Sequence, residues 1–354
     1  MFGDGDRVGV RPTLGNISKP MNPLPTFHVL ALSGGGYRSF FTATVLQQLE
    51  ETLGRPIAEQ FDLICGTSAG GLLALGLAAE IPAAELRELF QQQGNRIFNS
   101  QNLMRRTIGK WFSAKHSGTG LREVLTGRFG AQKIGDLRHR VLVPAVNYST
   151  GKGQFFKTPH HPTFERDHRT SIVDVCMATS AAPVYFPLSR NSRGVFVDGG
   201  LIGNAPGFFG LHEVRTFLAS PELSCAIRVL SIGTLSVGPT IRGNENLDKG
   251  IVQWGSSLFD LVISAQESSV DYMLRQSLGA NYLLIDGSPT PEQSLDVKYL
   301  DQVTLASTTT LHDRAMHAAQ IAIGDARFTP FRAHVAARPT FFHGPNKNDE
   351  VPPC

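Results

Sequence analysis

Cysteine is scarce in this chain. Only four occur in 354 residues, at Cys65, Cys176, Cys225 and Cys354, far apart and without a CxxC pair. That spacing offers no zinc site and no dense disulfide framework. The first three lie in apolar segments and are expected to act as small hydrophobes. No run of about 18 uninterrupted apolar residues exists, so no segment is expected to span a bilayer. The N-terminal residues lack the apolar core of a signal peptide, and a cytoplasmic, reducing setting is the expectation. A large excess of one charge is also missing. Lys and Arg number 33 against 30 Asp and Glu, a net charge of +3. That is too little to argue for DNA or RNA, though it suits mild attraction to an anionic membrane surface. Eleven histidines are present, but none has a local setting that marks it as a catalytic base. His28 falls in a strand pattern, His160 and His161 lie between Pro159 and Pro162, and His212 follows a turn at Asp198.

What is present is an α/β pattern. Residues 1–25 are rich in Gly, Pro and Asn and read as a flexible arm. Phe27–Leu32 is a buried strand, Arg38–Leu53 a helix, and Phe61–Cys65 a second strand. A buried helix follows Ser68, and Pro82 opens a helix from Ala83 to about Arg96. Strands are expected at Val141–Val146, Gln154–Lys157, Val195–Val197 and Ala226–Ile232. Helices are expected at Ile172–Thr179, Trp254–Leu274 and Thr308–Ile323, with Gly324 as a stop. Alternating strands and helices imply a mostly parallel sheet covered on both faces, a three-layer α/β/α arrangement. No repeat and no linker is visible, so residues 26–335 read as one domain, followed by a flexible tail at 336–354. Residues 95–118 break the rhythm. Arg96, Arg105, Arg106, Lys110 and Lys115 stand there without an acid, around Trp111 and Phe112. The segment reads either as a solvated connection, which the charge pattern favours, or as an interfacial lid.

Three motifs carry chemistry. Gly66-Thr67-Ser68-Ala69-Gly70 lies between a strand and a helix, the setting of a nucleophile elbow, where small neighbours let the chain turn sharply and expose the serine hydroxyl. Gly34-Gly35-Gly36 follows a buried strand and opens a helix. It offers backbone N–H groups to a phosphate or to an oxyanion, or is a tight turn without a ligand. A dinucleotide fingerprint would need a glycine where Ser39 stands and an acid about 20 residues on, where Glu50 and Glu51 come too early, so the oxyanion role is preferred. Arg38 supports that loop, faces lipid, or is a surface residue. Asp198, followed by Gly199 and Gly200, closes a buried strand, where α/β sites collect. Asp-Gly is also a common turn dipeptide. A Ser68–Asp198 dyad faces one difficulty: an ordinary aspartate, with a pKa near 3.9, is a weak base unless burial raises it.

Together these motifs resemble the patatin-like phospholipases. The resemblance rests on the Gly34-Gly35-Gly36-x-Arg38 turn and the Ser68 elbow about 30 residues later. It extends to the run Ala178-Thr179-Ser180-Ala181-Ala182-Pro183-Val184-Tyr185-Phe186-Pro187, and to Val197-Asp198-Gly199-Gly200 with Asn204 and Pro206. The chain departs from the family at Ser39, where the loop often has Gly, and at Ser33, where many members have Asp. The resemblance implies a patatin-like fold and metal-free hydrolysis of phospholipid acyl esters with no cofactor. Ser68 would be the nucleophile and Asp198 the base. Gly34, Gly35 and Gly36 would form the oxyanion hole, supported by Arg38, Gly66, Gly70, Gly199 and Gly200. The short layout also looks like bacterial phospholipase effectors of anti-phage defence (CBASS). That likeness implies a cyclic-dinucleotide activator that switches on hydrolysis of membrane phospholipid. A second copy of the chain is a further candidate partner, and the inner face of the cell membrane the expected place of contact. Trp254, Tyr272 and Arg275 are candidates to hold such an activator, against the simpler reading of core packing on an amphipathic helix. Other readings are a constitutive lysophospholipase or acyltransferase, and a non-catalytic nucleotide-sensing or lipid-binding module.

Overall fold

The computed structural model describes residues 25–98, 114–219, 225–235, 248, 254 and 257–348. Of the expected arm at 1–25, residues 1–24 lie outside the described residues, and so do residues 99–113 of the basic segment 95–118, with Arg105, Arg106, Lys110, Trp111 and Phe112.

Eight strands form one sheet among the described residues. They are β1 (Thr26–Leu32), β2 (Leu63–Gly66), β3 (Val141–Asn147), β4 (Lys152–Lys157), β5 (Ser189–Asn191), β6 (Gly194–Asp198), β7 (Ala226–Ile232) and β8 (Tyr282–Ile285). The order is β5-β6-β3-β2-β1-β7-β8, with β4 also on β3. β1 pairs in parallel with β2 and β7, and the parallel run extends to β3 and β8. Beyond β3 the sheet turns antiparallel, through β4, β6 and β5.

Strand alternation sorts side chains into two layers. Leu30 and Leu32 of β1 enter one large core, while Val29 and Ala31 enter a second. Over the first face lie α1 (Ser39–Leu53), α2 (Ala69–Ala78), α3 (Ala83–Ile97), α4 (Thr119–Phe129), α5 (Ile172–Thr179) and α9 (Leu305–Gly324). The other face is covered by α7 (Gly207–Glu213), which follows the one-turn α6 (Gly200–Gly203), and by α8 (Ser257–Leu278) through Leu274. A last short helix, α10 (Thr329–Ala333), buries Phe331. Helices thus cover both faces of a mostly parallel sheet, the expected three-layer arrangement. All ten residues of α2 are buried, as an all-apolar helix requires. Its leucines Leu72, Leu73, Leu75 and Leu77 each contribute about 2 kcal/mol on leaving water.

Several boundaries differ from the sequence reading. β2 starts at Leu63 because Ile57–Gln60 forms a tight turn ahead of it. α9 starts earlier, where the Thr304 hydroxyl accepts from Ser307 N, and it includes Gly324 instead of stopping before it. The expected flexible tail is docked over 336–348. Phe341 is buried, Phe342 N donates to Pro159 O, and Asn346 Nδ2 donates to Gly135 O and Leu137 O. Tyr272 does not pack in the core; it is 66% exposed. Arg275 pairs with Asp271 on the same helix.

Candidate active site

The elbow is built by backbone geometry. β2 ends at Gly66 and α2 begins at Ala69, which leaves Ser68 at φ 53°, ψ −128°. A non-glycine residue there carries about 1–3 kcal/mol of strain and persists only where its surroundings over-determine it. Here they do. Ser68 N donates to Thr179 Oγ1 at 3.0 Å, Thr179 Oγ1 donates to Pro144 O at 2.6 Å, and Thr67 Oγ1 donates to Gly203 O at 2.7 Å. The turn is so tight that a Cβ on Gly66 would stand 2.2 Å from Gly70 O, and one on Gly70 2.3 Å from Leu32 O. Only glycine fits at either position.

The same scaffold delivers the partner. Asp198 ends β6, opposite Ala145 of β3, and is almost fully buried. Ser68 Oγ donates to Asp198 Oδ2 at 2.7 Å, and Asp198 Oδ1 accepts from Gly200 N at 2.7 Å. Gly199 N donates to Thr179 O, so Thr179 holds both the serine and the aspartate turns. Burial pushes the Asp198 pKa up to about 7, against the opposing pull of the Gly200 and Ser68 hydrogen bonds. The weak-base difficulty is thereby removed: a carboxylate with a pKa near neutrality is matched to proton transfer. The buried histidines are engaged elsewhere. His160 bonds Thr158 and Glu213, His116 bonds Asp301, and His28 stacks on His334.

The glycine loop needs one correction. Gly34 N donates to Asn204 O at 3.0 Å, and Gly34 O accepts from Asn204 Nδ2 at 2.8 Å. Its N–H is therefore spent, and Gly34 cannot be an oxyanion donor. Gly35 and Gly36 line the cavity beside Ser68 and Ala69. Asn204 clamps the loop from 170 residues away and also donates to Glu267 Oε1. Nothing local in the sequence announces that contact. Arg38 N donates to Gly35 O, and the side chain is 6% exposed, placed where its charge acts on Asp260 and Asp286. It supports the loop from inside and does not face lipid. Ser39 and Ser33, the two departures, are both buried without breaking the turn.

From Ser68 and Asp198 an apolar slot runs inward, between Leu72, Phe90, Leu121, Tyr185, Phe259 and Leu300. An aliphatic chain suits such walls. The slot is nearly shut, however, with a cavity volume of about 40 Å³, room for about three waters. Occupied small-molecule sites measure ~300–1,000 Å³. No helix among the described residues is long and apolar enough to cross a membrane.

Residues 30–207 match the family model described as patatin-like phospholipase. The chain is 66% identical over 334 residues to the "cGAMP-activated phospholipase" of Pseudomonas aeruginosa (strain BWHPSA011 / Pa011), covering 94% of this chain and 100% of that one. It is 34% identical over 314 residues to the "cGAMP-activated phospholipase" of Vibrio cholerae serotype O1, covering 81% and 88%. It is 35% identical over 320 residues to the protein of that name from Escherichia coli (strain TW11681), covering 84% and 90%. On the extent of these matches, the chain belongs to the patatin-like phospholipases.

Proposed function

We propose that the protein cleaves an acyl ester of a membrane phospholipid through the Ser68–Asp198 dyad and is switched on by a cyclic dinucleotide. The observation that carries the chemistry is the 2.7 Å bond from Ser68 Oγ to a buried carboxylate with a pKa raised to about 7. Asp198 takes the hydroxyl proton as Ser68 Oγ bonds to the ester carbonyl carbon. The carbonyl oxygen becomes an oxyanion beside the N–H groups of Gly35 and Gly36. Collapse of the intermediate breaks the ester C–O bond, and Asp198 returns its proton to the departing lysophospholipid oxygen. Water, deprotonated by Asp198, then releases the fatty acid and restores Ser68.

The substrate reading follows from the walls of the slot and from its rim. Val184, Leu188, Leu201, Leu258 and Leu261 are between 37% and 52% exposed. Val184 and Leu188 share a loop with the slot residues Tyr185 and Phe186, Leu258 and Leu261 share a helix with Phe259, and Leu201 stands three residues after Asp198. An apolar rim of this kind can seat on a bilayer, so a chain is drawn from the membrane without crossing water. A slot of about 40 Å³ favours an enzyme that needs a switch over a constitutive one. The relatives named for activation by cGAMP supply its chemical class.

The test is fatty-acid release from phospholipid vesicles with and without cGAMP, read by mass spectrometry. Release is expected only with cGAMP and is expected to vanish in Ser68→Ala and Asp198→Asn. Undiminished release by Ser68→Ala would remove the nucleophile assignment, and equal release without cGAMP would remove the switch.

A further inference from the structure

Away from the slot, a second cleft of about 660 Å³ opens between the loop at 165–169, the turn at Arg193 and the docked segment 342–347. Its volume lies within the ~300–1,000 Å³ of small-molecule sites. Its charge is lopsided: Arg166, Arg169, Arg193 and Lys347 line it against the single carboxylate of Glu165. Arg166, Arg169 and Lys347 are exposed to it, while Arg193 is braced on Asp167 at 2.5 Å. The rings of His168 and His343 stack at 5.9 Å and 21°, and Phe342 lies beside them. Arg169 Nε donates to His168 Nε2 at 3.3 Å, so that nitrogen is the unprotonated one. Partial burial and the charges of Arg169 and His343 hold the His168 pKa below its ordinary value. Cations for phosphates, set among flat rings for bases, are the chemistry that recognises a nucleotide.

The cleft is wired to the site by continuous chain. Arg169 stands just before α5. The far end of that helix is Thr179, whose hydroxyl receives Ser68 N and whose carbonyl receives Gly199 N. Ser180, Ala182, Tyr185 and Phe186, next along the chain, are walls of the acyl slot. Arg193 stands just before β6, which ends in Asp198. The two segments that frame the cleft thus each lead, through one rigid element, to one half of the dyad.

We propose that this cleft is the cyclic-dinucleotide site, and that its occupation moves α5 and β6 to open the slot. The assignment rests on the reading of the protein as a cyclic-dinucleotide-activated phospholipase. The phosphodiesters bind Arg166, Arg169 and Lys347, and a base lies on the His168, His343 and Phe342 rings. The ligand selects the open state because it draws the 165–169 loop, and with it the Arg193 turn paired to Asp167, toward the 342–347 segment.

The test compares the wild type with Arg166→Glu/Arg169→Glu, Lys347→Glu and His343→Ala. The control is Lys298→Glu, which changes charge between β8 and α9. Three quantities are measured: binding of fluorescent cGAMP, the cGAMP concentration for half-maximal fatty-acid release, and vesicle binding without cGAMP. Thermal melting identifies the variants that fold, and the single substitutions carry the test if the double variant does not. In the cleft variants the dissociation constant and the half-activating concentration are expected to rise together, by roughly tenfold or more, with the control unchanged. A wild type that neither binds cGAMP nor responds to it sinks the activator reading and this site together. A responsive wild type with equally responsive cleft variants overturns the site alone. Loss of vesicle binding with cGAMP affinity intact assigns the cleft to a lipid headgroup and also overturns it.

Discussion

Replacing Asp198 by Asn should abolish activity and at the same time stabilise the fold, by an amount that depends on pH in a calculable way. Asn can keep both hydrogen bonds: its Oδ1 accepts from Gly200 N, and its Nδ2 donates to Ser68 Oγ. What it removes is a charge forced into a buried place. Burial pushes the Asp198 pKa up to about 7 in the folded protein against an ordinary 3.8, so the folded state holds this proton more tightly than the unfolded one. The sign follows from that. Below the unfolded pKa both states are protonated and no penalty applies. As pH rises from about 4 to about 7 the unfolded chain ionises while the folded one resists, and the wild type loses stability. The full penalty is about 4 kcal/mol. Denaturant unfolding of both proteins at about pH 4 and pH 7.5 isolates it, since every other titrating group is common to the pair. The advantage of Asp198→Asn is expected to grow by about 3.5 kcal/mol across that interval. A difference that stays flat with pH would show that Asp198 titrates as an ordinary carboxylate, and the case for it as base would fail.

Four further outcomes are expected. Ser68→Gly should lose turnover yet raise stability by about 1 kcal/mol, read by denaturant midpoint, because glycine relieves the strain at φ 53°. Gly66→Ala should fail to fold or lose more than about 3 kcal/mol in thermal melting, since its Cβ would meet Gly70 O at 2.2 Å. Glu213 is buried and holds Lys157 at 2.6 Å and His160 at 3.1 Å, which joins β4 to α7. Glu213→Ala should therefore cost about 3–5 kcal/mol in urea unfolding. Leu201→Asp with Leu258→Asp should weaken vesicle co-sedimentation while leaving the folded circular dichroism spectrum unchanged, because both side chains are exposed, one shortly after Asp198 and the other beside Phe259 in the chain.

The parts of this molecule legible in the sequence are those set by local rules. The elbow could be read because a buried strand, a serine between glycines and an all-apolar helix follow one another within 20 residues or so. β1 could be read because a continuous apolar run has one stable fate in a sheet covered on both faces. α4 escaped notice because Gly120 and Gly127 interrupt its pattern. The capping exchange of Thr304 and Ser307 placed the start of α9 ahead of its apolar stripe. Contacts far apart in sequence were invisible in principle. The Asn204 clamp that occupies the Gly34 N–H spans 170 residues, and the docking of Phe342 on Pro159 closes a cleft that no local pattern announces. The carboxylate of Asp198 was nameable, but its raised pKa comes from the packing around β6.

The most direct test of the dyad is the pH dependence of covalent labelling by a fluorophosphonate, with the modified residue located by peptide mass spectrometry. The expected adduct is on Ser68. Its second-order rate should climb about tenfold per pH unit below pH 7 and level above it, as Asp198 loses its proton, and should lose both magnitude and pH dependence in Asp198→Asn. Labelling at another residue, or the same profile in Asp198→Asn, would contradict the Ser68–Asp198 mechanism.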